Sequence, residues 1–160
     1  MSFKDTSSLS TSVMHLLHRA GQVADEYFAE EMKNSDLTPR QYAVLAILSE
    51  RETASQTDIV NATGIDRSTL ADIVKRLVQR GLLARRRSRL DARAYVVRLT
   101  PQGEALLKTA QPAADRVSER MMRALPSSER GELITALSHL VETAQRAPSE
   151  EPGNQASSQE

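Results

Sequence analysis

Cysteine and tryptophan are absent from this 160-residue chain, which holds only three tyrosines and two phenylalanines. Without a thiolate there is no disulfide framework, no cysteine-ligated zinc or iron–sulfur centre and no thiol redox sensor. So few rings also argue against a platform on which single-stranded bases stack. The longest strongly apolar run, residues 43–48, falls far short of the ~20 residues a bilayer-spanning helix needs. The first dozen residues are polar, with no basic stretch leading into an apolar one, so no secretory signal is expected and the cytoplasm is the expected compartment. Glycine-rich phosphate loops and a Gly-x-Ser-x-Gly elbow are missing, and the three histidines suggest no catalytic triad. The chain is not expected to be an enzyme or to carry a cofactor.

What is present is an uneven charge. Lysine plus arginine equal aspartate plus glutamate, 21 each, but residues 66–98 hold ten basic and three acidic side chains, a net +7. The flanks are acidic, −4 over residues 1–65 and −3 over residues 99–160. A basic block between acidic flanks attracts a polyanion; its bland reading is a solvated face that binds nothing. Spacing decides between the two.

Residues 9–32 place Val13, Leu16, Leu17, Ala20, Val23, Ala24, Tyr27 and Phe28 on one helical face, which predicts one long amphipathic helix. Thr38 and Pro39, with Gln41 three residues after the threonine, form a capping-box start for a helix running to about Glu50. Ser55 caps a short helix that stops near Gly64, and Asp66 caps another, with Leu70, Ile73, Val74, Leu77 and Val78 inward, that stops at Gly81. These two helices read as a helix-turn-helix. Residues 82–87 and 94–99 then read as a β-hairpin with a basic tip. Thr100-Pro101 opens a helix that must bend at Pro112 or accommodate it, and a last helix carries Leu133, Ile134, Leu137, Leu140, Val141 and Ala144. The expected class is mainly α with a small β-hairpin wing. Residues 1–8 are expected to be flexible, and residues 147–160, rich in Pro, Ser, Glu and Gln, disordered.

The apolar stripes of the terminal helices exceed what one small middle domain can cover, so interleaved N- and C-terminal helices (9–34 and 101–146) are expected to form a two-fold homodimer around winged lobes (38–100). In a helix-turn-helix the second helix enters the major groove. Its outward residues here are Arg67, Ser68, Thr69, Asp72, Lys75 and Arg76. Arginine reads guanine with two hydrogen bonds, Ser and Thr contact bases or phosphates, and Lys75 and Arg76 suit the backbone. Asp72 accepts from a cytosine amino group or, the favoured alternative, orients Lys75 or Arg76. Ser55 and Gln56, opening the first helix of the pair, join them as DNA-contact candidates. In the wing, Arg87, Arg89 and Arg93 suit the adjacent minor groove, with Arg93 the foremost candidate, and Asp91 pairs with an arginine to set the direction of the tip. The competing reading is a winged-helix interaction module whose basic face meets an acidic protein or RNA without operator specificity.

Ser55-Gln56-Thr57-Asp58-Ile59-Val60, Thr63-Gly64-Ile65-Asp66-Arg67-Ser68-Thr69-Leu70, Val74-Lys75-Arg76-Leu77, Gly81-Leu82-Leu83, and Asp91-Ala92-Arg93 running into Val97-Arg98-Leu99-Thr100-Pro101-Gln102-Gly103 resemble the MarR family of transcriptional regulators over residues 9–146. The Asp-x-Arg wing and the Leu-Thr-x-x-Gly helix start are the most specific pieces. Ala92 departs from the pattern, standing where many members carry arginine. The resemblance implies a winged-helix homodimer that binds an inverted-repeat, double-stranded operator, usually as a repressor. It also implies a small effector, an aromatic or phenolic acid or an aryl-CoA thioester, held between the dimer helices and the DNA-binding lobe. Walls for such a pocket are expected from His15, His18, Arg19, Arg40 and Tyr42, the cations to neutralise a carboxylate and the tyrosine to offer a ring with a hydroxyl. The plainer reading puts His15 and His18 on the surface or dimer interface and Tyr42 in the core. No metal site is expected, since His139 is distant from the other two histidines.

Overall fold

A computed structural model describes residues 9–33, 35–88 and 95–146. The chain divides into two units, Met1–Met121 and Met122–Glu160. In the first, helix α1 spans Val13–Glu31. It starts later than the apolar spacing from residue 9 predicts, because Ser12 is extended and its hydroxyl accepts the His15 N–H at 3.4 Å, which makes it the cap. Helix α2, Pro39–Ser49, opens with the expected capping box: the Gln41 N–H donates to Thr38 Oγ1 (3.3 Å), and Gln41 Oε1 accepts from the Thr38 N–H (3.2 Å).

Strand β1, Ala54–Ser55, leads into α3, Gln56–Thr63, and Gly64 ends that helix at φ 68°, in the left-handed region where a Cβ is disfavoured. Helix α4 covers Arg67–Gln79, followed by β2 (Leu83–Arg87) and β3 (Tyr95–Leu99). The strands pair antiparallel in the order β1-β3-β2, with Leu83 opposite Leu99, Arg87 opposite Tyr95 and Ala54 opposite Val97. The sequence predicts only the hairpin. Strand β1 is two residues long, too short for any alternating signal, and exists because β3 offers it a partner.

Leu45, Leu48 and Val44 of α2, Ile59 of α3, Leu70, Val74 and Leu77 of α4 and Val97 of β3 form the fully buried centre. These inward faces are the ones the 3.6-residue spacing selects, and their burial leaves the opposite face of α4 to solvent. Helix α5, Pro101–Arg123, runs through Pro112 without interruption and buries Leu107, Ala110, Ala113 and Val117. It is fastened to the end of α1 by Arg116 on Glu31 (2.7 Å) and Arg120 on Glu30 (2.8 Å), with the Arg120 guanidinium 3.8 Å from the centre of the Tyr27 ring. The Arg116 hydrogen bond holds the Glu31 carboxyl below its usual range.

The second unit carries α6, Ser127–Arg146. Its entry is set by the Leu125 N–H donating to Met122 O (3.1 Å) and by Arg130 Nε donating to Leu125 O (3.2 Å). Ile134, Leu140 and Val141 stay more than half exposed. So do Val13 and Met14 near the start of α1.

Candidate nucleic-acid interface and adjoining cavity

The outward face of α4 is built from the Asp66 cap. Asp66 Oδ1 accepts from the Thr69 N–H (2.9 Å) and from the Ser68 hydroxyl (2.7 Å), so the first turn of α4 is pinned by its own side chains. Hydrogen bonding from Thr69, then from Ser68, holds the Asp66 carboxyl far below the usual carboxylate range. It stays a charged acceptor at any ordinary pH. With Leu70, Ile73, Val74 and Leu77 buried, Arg67, Ser68, Asp72, Lys75 and Arg76 are exposed together, and Thr69 is half-buried.

Asp72 does not behave as the favoured sequence reading expects: among the described residues no ion pair joins it to Lys75 or Arg76. All three side chains are exposed, and a solvated pair at this spacing is worth only a few tenths of a kcal/mol, too little to hold two flexible chains.

Ser55 and Gln56 are half-buried at the start of α3. The Ser55 hydroxyl is engaged with Asp58, donating to Oδ2 at 2.7 Å, while the Ser55 N–H donates to the same oxygen at 2.8 Å. Both bonds lower the Asp58 carboxyl below its ordinary value. An open groove of about 520 Å³ brings Ser55 and Asp58 together with Arg86, Arg87 and Ser88 of the wing. Arg85 lies over the Tyr95 ring, 5.7 Å from its centre, which orients the hairpin's outer face. Arg89, Asp91 and Arg93 lie outside the described residues.

Beside α4 lies a cavity of about 420 Å³ lined by Asp25, Thr38, Pro39, Arg40, Gln41, Thr69, Asp72, Ile73 and Arg76. Three helices meet there: α1 gives Asp25, the start of α2 gives Arg40, and α4 gives Asp72 and Arg76. Of the residues proposed from sequence for an effector, Arg40 lines this space and the other four do not. Tyr42 packs on Phe28 (ring centres 5.8 Å apart) and donates its hydroxyl to Gln111 Oε1 at 2.9 Å. Burial first, and then Asp115, raise the Tyr42 hydroxyl above its ordinary pKa. His15 is half-buried, and His18 and Arg19 are exposed, with Arg19 donating to Gln22 Oε1 at 2.7 Å.

Asp25, Thr38, Gln41 and Ile73 were not legible as cavity walls: Thr38 and Gln41 signal a cap, Ile73 a core residue, and Asp25 nothing beyond a polar helix face. Among the described residues no group of three His, Cys, Asp or Glu side chains clusters as a metal set, and no helix is long and apolar enough to cross a membrane.

Comparison with known proteins bears on this geometry. A model of the MarR family matches residues 35–94, from the turn before α2 into the wing. The transcriptional repressor NicR of Pseudomonas putida is 31% identical over 139 residues, covering 87% of this chain and 88% of the relative. BpsR of Bordetella bronchiseptica, whose DNA binding is regulated by 6-hydroxynicotinic acid, superposes with a TM-score of 0.76 at 34% identity, covering 86% of this chain and 96% of its own. The repressor CouR bound to a 23-mer DNA duplex superposes with a TM-score of 0.78 at 31% identity, covering 87% of this chain and 99% of its own.

Proposed function

Because the chain belongs to the MarR family of transcriptional regulators, we propose that it is a homodimeric repressor that binds an inverted-repeat operator and is released by a small aromatic acid, a phenolic compound or an aryl-CoA thioester. The observation that carries the reading is the division of α4. One face is buried core, and the other displays Arg67, Ser68, Lys75 and Arg76 from a helix whose first turn is fixed by Asp66. A helix so divided offers cations and hydroxyls to a groove without unfolding anything. The similar fold of CouR on a duplex supports the same orientation of α4.

In this reading Arg67, Ser68 and Thr69 face base edges, Lys75 and Arg76 the phosphates, and Ser55 and Gln56 the flanking backbone. Arg87, Arg89 and Arg93 extend the contact into the minor groove, with Asp91 aiming the tip. The exposed apolar residues of α1 and α6 supply the two-fold contact, as a stripe of that size needs a partner. The compartment is the cytoplasm, where the operator is.

The cavity behind α4 is the effector site. Arg40 and Arg76 suit a carboxylate, Asp25 and Asp72 a hydroxyl or ring N–H, and the volume fits a one-ring acid. His15, His18 and Arg19 serve as outer walls supplied across the dimer, and Tyr42 stays packed on Phe28 and bonded to Gln111. Arg76 belongs both to the DNA face and to the cavity wall, so a bound carboxylate competes with phosphate for one guanidinium. Only such differential affinity moves a binding equilibrium, and a thirtyfold release needs about 2 kcal/mol of coupling.

The test is selection of duplexes from a random pool, then fluorescence anisotropy of the enriched duplex and an unrelated one across a salt series. Preference for the enriched duplex by about a thousandfold, with log affinity falling against log salt at a slope steeper than about −4, is expected. Equal, weak binding of both duplexes would reject operator recognition and return the basic block to an acidic protein or RNA.

A further inference from the structure

The end of the recognition helix and the start of α5 are joined by one hydroxyl. After α4, the chain stays hydrogen-bonded to the helix: the Gly81 N–H donates to Val78 O (2.9 Å) and the Leu82 N–H to Leu77 O (2.9 Å). Gly81 takes φ 72° there, the left-handed conformation that lets the chain turn back at once. From the other side, Thr100 Oγ1 lies 2.6 Å from Gly81 O and 3.1 Å from Leu82 O, to which it donates, and the Thr100 N–H donates to Leu82 O at 3.1 Å. Thr100 Oγ1 itself accepts the Gly103 N–H at 3.1 Å, the bond that caps α5.

The approach is as close as backbone allows. A Cβ at position 103 would collide with the Leu82 carbonyl oxygen and press on Leu99. One side chain therefore both starts α5 and grips the turn that ends α4. An ordinary helix cap needs only the acceptor; here the donor is also used.

We propose that Thr100 is a positioning residue for DNA recognition, its hydroxyl clamping the Gly81–Leu82 turn to the first turn of α5 so that α4 and α5 move as one body. The proposal rests on the reading of α4 as the recognition helix. In a two-fold dimer held through terminal helices, the orientation of α5 then sets the spacing of the two α4 helices, and with it the spacing of half-sites that bind. Without the clamp each lobe rocks about the joint, and half-site affinity persists while spacing selectivity fades.

Two substitutions separate clamp from cap. Thr100→Ser keeps acceptor and donor; Thr100→Asp keeps a good cap acceptor but has no proton for the two carbonyls. The full-length protein is assayed on the selected operator and on duplexes with the half-sites moved one and two base pairs closer or apart. Thr100→Asp is expected to lose about tenfold of the preference for the best spacing and, with its carboxylate set against the Gly81 and Leu82 carbonyl oxygens, to lower the thermal midpoint, whereas Thr100→Ser keeps the wild-type preference.

A readout without DNA uses the absence of native cysteine. Ala71→Cys with Lys108→Cys, spin-labelled and diluted into unlabelled chain, gives the α4-to-α5 distance distribution, expected to broaden in Thr100→Asp and not in Thr100→Ser. If Thr100→Asp keeps both the spacing preference and the narrow distribution, Thr100 is a cap and the proposal fails. It fails equally if Ser and Asp lose both alike. Should Thr100→Asp not fold, hydrogen exchange on the wild-type protein decides: the Thr100 and Gly103 amides should open together with those of Arg80 and Leu82, and separate opening more than about tenfold apart in rate overturns the clamp. Should the wild-type protein enrich no duplex, the reading of α4 falls, while the distance and exchange measurements still judge whether α4 and α5 form one body.

Discussion

Helices α4 and α6 are both amphipathic, yet α4 buries four residues out of 13, whereas among the described side chains of the 20-residue α6 none is buried. The pattern is the same and the outcome opposite. In α4 the apolar stripe meets Leu45, Leu48 and Ile59 in a shared core, so its polar stripe is left free for work at the surface. In α6 the apolar stripe itself faces solvent, with Ile134 at 57% and Leu140 at 55% exposure. A hydrophobic period states that a face wants burial; it does not state whether the same chain supplies the cover.

The largest effect should come from the lobe. Leu70→Ala removes a fully buried side chain and is expected to lower stability by about 2–5 kcal/mol, read as a lower urea midpoint at one fixed protein concentration. In α6, Leu140→Asp should leave that midpoint's core contribution untouched and raise the dimer dissociation constant at least about tenfold, near 1.4 kcal/mol, in sedimentation runs. A Leu140→Asp protein that stays dimeric at the lowest measurable concentration would remove α6 from the interface and collapse the contrast.

On the free face of α4, Arg76→Gln should weaken operator binding on all sequences alike and make the log–log salt slope shallower by about 1. An unchanged slope would assign Arg76 to the cavity alone.

The smallest effect belongs to the fastening between α1 and α5. Glu31 has its folded pKa lowered by Arg116, so its contribution is present above the unfolded value of about 4.5 and is lost as pH falls through the lower folded value. Glu31→Gln should therefore narrow the stability difference between pH 7 and strong acid, and solvent around the exposed Arg116 guanidinium keeps the change small. A variant whose acid profile overlays the wild type would show that this ion pair contributes nothing measurable.

Local rules were legible in the sequence to within a few residues. Thr38 with Gln41, Ser55 with Asp58, and Asp66 are caps whose chemistry acts within three residues, so the starts of α2, α3 and α4 follow from the residues themselves. Gly64 and Gly81 mark helix ends for an equally local reason. The start of α1 was less legible, because Leu9 keeps the apolar period while Ser12, the cap, delays the helix to Val13.

The candidate site divides the same way. The outward set on α4 follows from one helix's period, whereas the cavity needs Asp25, Arg40 and Arg76 from three helices. Tyr42 shows the cost of guessing such a wall: its ring went to Phe28 and its hydroxyl to Gln111, 69 positions away in the chain.

By itself the sequence determined the starts of α2, α3 and α4, the inward face of each helix in the lobe and the basic block from 66 to 98, since caps, periodicity and charge are properties of neighbours along the chain. The tertiary structure alone decided that β1 exists, that Arg40 and Arg76 share a cavity and that Thr100 reaches back to Gly81 and Leu82. Each joins residues that become neighbours only when packing brings separate elements together.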